Sequence, residues 1–110
     1  MGIQINSHRI EVEEGVDEAI RRSLIMIGMK AEDYAKQYEY RVDTGRLRNS
    51  ITSEVNKDAQ EVYIGTTVEY APYIEFGARG LEPVNFLRKS GENHMDEYRN
   101  IVRDALDGKL

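Results

Sequence analysis

The length, composition and charge of this chain describe one small acidic domain. It has 110 residues, of which 40% are hydrophobic and 32% charged, with only 2 prolines, as in an ordinary globular protein. A chain of this length builds a single core, so we expect one domain over residues 1–110. Fifteen basic and twenty acidic residues give a net charge of −5, which argues against non-specific nucleic acid binding as the main function.

Common catalytic and metal-binding motifs are missing from the sequence. There is no cysteine, so disulfides, thiolate metal sites and thiol nucleophiles are excluded. The two histidines, His8 and His94, belong to no motif of metal ligands, and we expect both at the surface or at an edge. We therefore expect no cofactor, no metal and no catalytic residues. The apolar run from Leu24 to Met29 is far shorter than the ~20 residues that span a bilayer, so we expect no membrane partner.

The first twelve residues carry two short alternating stretches, at residues 3–5 and 10–12. Their apolar parity shifts around Ser7 and His8. The pattern favours a weak strand or an extended arm.

Residues 16–38 are predicted to form one long helix, because apolar side chains recur every three or four positions. Acidic residues crowd its start, where free N–H groups and the helix dipole stabilise negative charge. The stripe consists of Val16, Ile20, Leu24, Ile27, Ala31, Tyr34 or Ala35, and Tyr38, and the acidic residues are Glu13, Glu14, Asp17 and Glu18.

Three apolar residues of this helix, Ile25, Met26 and Met29, lie off the stripe, with Gly28 among them. The sheet or another helix is one candidate to cover this second face. A neighbouring subunit is the other, because large exposed apolar patches mark partner sites. Both interpretations stay open at this point.

The middle of the chain predicts a capped turn followed by a β-hairpin. Asp43 or Thr44 can cap a short helical turn that directs Leu47 and Ile51 to the core. Alternating residues then predict antiparallel strands at 51–55 and 61–68, joined by a turn at 56–58.

The last third is predicted to be mainly helical. Pro72 suits the first position of a short helix, and Gly77 suits the left-handed residue that closes it. Residues 78–84 read as a loop. Apolar spacing then predicts a C-terminal helix from Phe86 to Leu106, weakened at Gly91, where it kinks or starts. The fold class is therefore α+β, with a long N-terminal and a C-terminal helix on a small antiparallel sheet.

The tripeptide from Asp43 to Gly45 also occurs in aspartic proteases, and a homodimer would supply two such carboxylates. Neighbouring arginines oppose this alternative, because they stabilise the charged form against a shared proton. Arg41, Arg46 and Arg48 form the local basic cluster, which we expect to pair with carboxylates, including those of an adjacent subunit.

Three blocks of the sequence together resemble a bacteriophage family. In order, they contain Val42, Asp43, Thr44, Gly45, Arg46, Leu47, Arg48, Asn49, Ser50 and Ile51; Gly65 with Tyr70, Ala71, Pro72, Tyr73, Ile74, Glu75, Phe76 and Gly77; and Pro83 with Phe86, Leu87 and Arg88. Their order and spacing are similar to those of the small head-tail joining or tail-completion proteins of long-tailed phages, which include the neck protein of HK-type siphophages and the minor tail protein Z group. Asn85 stands where that family usually has a proline, and Ser90 stands where it usually has an alanine.

The resemblance implies a structural protein of a phage or prophage, made in the host cytoplasm and located at the head-tail junction of the virion. It implies no reaction. The expected partners are further copies, in a ring for which a hexamer is favoured, and other neck and tail proteins, with DNA passing through without specific binding. A non-viral oligomeric interaction module is the competing class.

We expect the assembly surface to include the 78–84 loop and part of the long helix. The stripe of the helix already covers a hairpin of this size, which leaves other apolar residues for partners. Glycine lets the loop adapt and charges set register with a partner. The expected interface residues are Met26, Met29, Glu75, Arg79, Leu81 and Arg88.

Overall fold

The computed structural model describes residues 5–11, 17–39, 45–56, 58, 60–77, 80 and 82–109. The α+β class is confirmed, with long helices around a small antiparallel sheet. The elements, in chain order, are β1 (Ile5–Glu11), α1 (Asp17–Tyr38), α2 (Arg46–Ser50), β2 (Thr52–Asn56), β3 (Glu61–Thr66), α3 (Ala71–Phe76), α4 (Phe86–Glu92) and α5 (Met95–Leu106).

Helix α1 has the extent that its apolar period predicts, from Asp17 to Tyr38. Its stripe faces the core, while Tyr34 and Tyr38 are half-buried at its C-terminal end. Val16, Glu13 and Glu14 lie outside the described residues. The fully buried members of the stripe are Ile20, Leu24, Ile27, Ala31 and Ala35.

The sheet has the strand order β1-β3-β2, so β1 and β2 are its two edges. Strand β1 runs antiparallel to β3, and its register shifts between Ile5, opposite Thr66, and His8, opposite Ile64. The chain therefore advances three residues on β1 and two residues on β3 between these two pairs, so β1 contains one extra residue, which defines a β-bulge. The bulge lies where the apolar parity of the sequence shifts, around Ser7 and His8.

The hairpin of β2 and β3 is confirmed, with Asn56 opposite Glu61. Strand β2 starts and ends one residue later than predicted, and β3 ends at Thr66 instead of residue 68. Val62, Ile64, Thr66 and Val68 are buried as their alternation predicts, because they lie under the helical layer.

The C-terminal helical region is two helices, not one that is weakened at Gly91. Gly91 lies buried inside α4, and the helical conformation is interrupted at Asn93 and His94. The Asn93 and His94 N–H groups bond back to the carbonyls of Lys89 and Gly91, which closes α4. Helix α4 packs against α1 and β1, and α5 packs against α1.

One core joins these layers. It lies between α1, the inner face of the sheet and the two C-terminal helices. Leu47 and Ile51 enter it from either end of α2, as predicted. Its largest buried side chains include Tyr98, Phe86, Ile20, Leu24, Ile27, Leu47, Ile51, Ile64 and Leu87.

Candidate functional site

Helix α3 is short and held at both ends. It starts at Ala71, so Pro72 is its second residue rather than the predicted first, and Ala71 donates its N–H to the Val68 carbonyl at 3.1 Å. Gly77 ends the helix with φ 79°, the positive value predicted, but its ψ of 157° is extended rather than left-handed helical. The chain therefore leaves α3 in an extended direction instead of turning back on it.

Glu75 ties α3 to α4. Its side chain is only 3% exposed, and its carboxylate accepts the backbone N–H groups of Leu87 at 3.0 Å and Arg88 at 3.1 Å. These donors belong to the first turn of α4, where intrahelical partners are missing. Glu75 therefore caps α4 from another helix. Its burial removes it from the docking surface that we predicted to contain it.

The residue at the N-cap of α4, Asn85, has φ 54° and makes no side-chain cap bond. Asparagine tolerates this left-handed conformation, whereas the proline ring holds φ near −65°. The Asn85 N–H donates to the Glu75 carbonyl at 3.1 Å, and the Val84 N–H donates to the Ile74 carbonyl at 2.8 Å. The backbone turn before α4 therefore excludes a proline at position 85.

The other predicted interface residues are dispersed. Met26 is half-buried against the core, Met29 is 62% exposed, and Arg88 is exposed beside Glu92 at 3.8 Å. Arg79 and Leu81 lie outside the described residues.

Two aromatic side chains on α3 are exposed, although they are not among the interface residues that we predicted. Tyr73 is 58% exposed and Phe76 is 62% exposed, one helical turn apart. Ala71 and Glu75, between which Tyr73 lies in the sequence, are buried. The sequence signal that could have found them is the close spacing of Tyr70, Tyr73 and Phe76. We call Tyr73 and Phe76 the aromatic patch.

A second exposed apolar group lies where α1 crosses the edge strand β2. Ile25 and Met29 are exposed one turn apart on α1. Val55, also exposed, pairs with Val62, which approaches α1 at Gly28. The off-stripe residues of α1 are therefore only partly covered within this chain. We call Ile25, Met29 and Val55 the aliphatic patch.

Gly28 lets α1 approach the sheet closely. A Cβ atom there would lie 2.7 Å from the Ser53 Oγ and 3.4 Å from the Val62 Cγ1. The Ser53 hydroxyl and N–H both donate to the Glu32 carboxylate, at 2.6 and 3.2 Å. The helix and the edge strand are thus joined by a polar clamp next to the aliphatic patch.

The arginine cluster does not form a free basic surface in the described part of the chain. Arg46 binds both carboxylate oxygens of Glu69, at 2.9 and 2.8 Å, and lies over the Tyr70 ring. This contact lowers the pKa of Glu69 and raises that of Arg46. Arg48 donates to the Glu39 carbonyl at 3.1 Å, and Arg41 is outside the described residues.

We predicted His94 at the surface or at an edge, and the structure places its half-buried side chain between the end of α1 and the start of α5. Its ring stacks parallel on Tyr34 with centroids 3.5 Å apart, and its Nε2 lies 2.9 Å from the Tyr38 hydroxyl. Tyr34 donates to Glu97 at 2.5 Å. This bond lowers the pKa of Glu97, helped by Lys30, and raises the pKa of Tyr34. The cluster fastens the start of α5 to the end of α1. The side chain of His8 is outside what the structure describes.

Asp43 and Thr44, on which the capping and protease hypotheses rest, lie outside the described residues. The residue at the N-cap of α2 is Gly45, with φ 80°, and its carbonyl accepts the Asn49 N–H at 2.8 Å. Across the described ranges, no three His, Asp or Glu side chains are placed to hold a metal ion. None of the described helices combines the length and apolarity needed to cross a membrane.

The part of the chain that carries these surfaces matches a known protein family. Residues 9–77 match the model of the family described as "Bacteriophage HK97-gp10, putative tail-component". The chain belongs to this family. The match contains α1, the hairpin and α3, and so includes both exposed patches.

The match confirms the resemblance to HK-type phage proteins and supports a structural role in a phage tail, hence in the virion. Membership of a tail-component family favours a structural over an enzymatic role. No curated protein and no solved structure matches the chain.

Proposed function

We propose that this protein is a structural component of the head-tail junction, where copies form part of a ring that joins or completes the tail. The observation that carries the proposal is membership of the HK97-gp10 family over 69 of 110 residues, namely 9–77. The three sequence blocks that resemble neck and tail-completion proteins support the junction in particular.

The surface chemistry supports a role in assembly. Tyr73 and Phe76 are exposed on a helix that the Glu75 carboxylate bonds to the first turn of α4. Rigid aromatic side chains lose little entropy on docking and are typical anchors of protein interfaces. Ile25 and Met29 add a second apolar surface. A small domain with two such surfaces fits an assembly in which each copy touches more than one neighbour.

The charge supports a channel that does not bind DNA. The net charge of −5 repels phosphate, so DNA would pass a ring of this protein without specific contacts. A hexamer is the ring size we favour, and other neck and tail proteins are the neighbours we expect on either side.

The test is complementation in the phage or prophage that carries the gene. Deleting the gene should leave filled heads and tails unjoined or tails incomplete, as counted by electron microscopy, and a plasmid copy should restore joined particles. A plasmid copy lacking residues 79–82 should be nearly as heat-stable as wild type and should fail to restore joining. A variant with Asp104→Asn, an exposed change on α5, is the matched control and should complement. Normal particles without the gene would refute the proposal.

A further inference from the structure

We infer that neighbouring copies of this chain touch head to tail, with the aromatic patch of one copy on the aliphatic patch of the next. This inference rests on the proposed ring and adds the surfaces that close it. It draws on the position, chemistry and charge of the two patches.

The two patches lie at opposite edges of the sheet. The aliphatic patch lies where α1 crosses β2, and α3, which carries the aromatic patch, packs against β1. Strands β1 and β2 are separated by β3. A copy can therefore use both patches at once, each toward a different neighbour.

The chemistry of one patch suits the other. Tyr73 and Phe76 are aromatic and project from a helix fixed by Glu75. Met29 is a flexible thioether, and methionine sulfur makes favourable contacts with aromatic rings while adapting to their shape. Aromatic side chains bury about 150–250 Å² each when fully covered, and Tyr73 and Phe76, 58% and 62% exposed, have more than half of their surface left for a partner.

Two exposed side chains of opposite charge lie near the two patches, one near each. Arg22 is exposed one turn before Ile25, and Glu82 is exposed two residues before Val84, whose N–H bonds to α3. Neither forms a salt bridge with any residue in the described ranges. A head-to-tail contact brings this cation of one copy toward this carboxylate of the next, which favours the correct register.

Symmetry then separates this contact from a simple dimer. Two different patches that bind each other make a heterologous contact, which closes into a ring when the rotation per copy divides a full turn. A contact between two identical patches would stop at a dimer. The head-to-tail arrangement is the one that yields a ring.

The absence of cysteine from the chain allows a direct test. Met29→Cys and Phe76→Cys are prepared as separate single variants and cross-linked with a short bismaleimide at the highest soluble protein concentration. We expect a covalent dimer when the two variants are mixed and little in either variant alone. A protein that carries both changes should give a ladder of oligomers. Asp104→Cys, on α5, replaces Phe76→Cys as the control and should give no dimer in the mixture.

Charge exchange supplies a second readout on the same proteins. Arg22→Glu or Glu82→Arg alone should lower the yield of the mixed dimer several-fold, and the two together should restore it. A dimer formed by Met29→Cys alone would show an isologous contact and overturn the inference. No cross-link in the mixture would overturn it as well.

These failures differ from failure of the proposed function. If native mass spectrometry shows a ring while the Met29→Cys and Phe76→Cys variants do not cross-link in the mixture, the ring stands and this contact is wrong. Joined particles in the absence of the gene would instead refute the function, whatever the cross-links show.

Discussion

The carboxylate of Glu75 accepts the backbone N–H of Leu87 at 3.0 Å, so a side chain from α3 completes the first turn of α4. The contact spans twelve residues of sequence and encloses the segment that we expected to form an assembly loop. It gives that segment fixed ends, because α3 and α4 cannot separate without breaking it.

Replacing Glu75 with glutamine tests this capping role. The glutamine amide offers one acceptor oxygen where two backbone N–H groups now donate to a carboxylate. We expect the free energy of unfolding to fall by about 1 to 3 kcal/mol, the cost of an unsatisfied buried donor. Urea unfolding measures it. Glu82→Gln, at an exposed site in the same connection, is the control and should change stability little. Equal stability of both variants would contradict the capping role.

Gly28→Ala should have two opposing effects on stability: it improves helix propensity, and it adds a Cβ atom where α1 lies close to the sheet. Alanine is the better helix former by about 1 kcal/mol, but its Cβ would lie 2.7 Å from the Ser53 Oγ. Displacing that hydroxyl from Glu32 loses a charge-assisted bond worth about 1.5 to 3 kcal/mol, so we expect net destabilisation of about 1 kcal/mol. In a Ser53→Gly background the same change should be stabilising. Thermal unfolding of the four proteins in this cycle decides between them, and an equal effect in both backgrounds would show that Ser53 is not the obstacle.

The Tyr34–Glu97 bond predicts how stability changes with pH. Because folding lowers the pKa of Glu97 from its ordinary value of 4.5, its contribution is complete above that value and is lost as the pH falls through the lower, folded-state pKa. Folding raises the pKa of Tyr34, so its contribution is present below its ordinary value of 10.0 and is lost as the pH rises through the folded-state value.

Glu97→Gln should therefore flatten the acid side of a plot of unfolding free energy against pH, and Tyr34→Phe should flatten the alkaline side. Asp104→Asn removes an exposed carboxylate from the same helix and is the control for net charge. An acid side unchanged by Glu97→Gln would contradict the assignment.

The Arg46–Glu69 pair should contribute little despite its two short bonds. Both side chains are more than half exposed, at 55% and 71%, and water and salt screen such pairs. Arg46→Gln should destabilise the protein by less than about 1 kcal/mol, and high salt should reduce the difference. Arg99→Gln, from the exposed pair with Asp96, controls for the loss of a cation. A large, salt-independent loss for Arg46→Gln would show that the arginine supports the fold in another way.

Local periodicity predicted the elements whose burial repeats along the chain. The 3.6-residue period placed α1 to within one residue, because one continuous stripe of that helix meets the core. The alternation of β3 likewise predicted which of its side chains are buried. The bulge in β1 is also visible in the sequence, because a register shift of one residue reverses which alternate positions are apolar.

Contacts between residues that lie far apart in the sequence produce no comparable periodic pattern in it. From the sequence, Glu75 is expected to be an exposed residue of a short helix. The N–H group that it binds belongs to α4, and only the folded structure brings the two together. His94 lies sixty residues from Tyr34, on which it stacks, so no local pattern in the sequence marks this contact. Tyr73 and Phe76 were not among the predicted interface residues, because the sequence alone does not show which aromatic side chains are buried and which are exposed.

The clamp between Glu32 and Ser53 has a consequence for how copies can associate. Ser53 belongs to an outer strand, whose unpaired N–H groups are a template for adding a strand from another molecule. Glu32 occupies the Ser53 donor and covers it with a negative charge. Uncontrolled sheet growth is thereby blocked at this point, which opposes edge-to-edge aggregation of separate copies at high concentration.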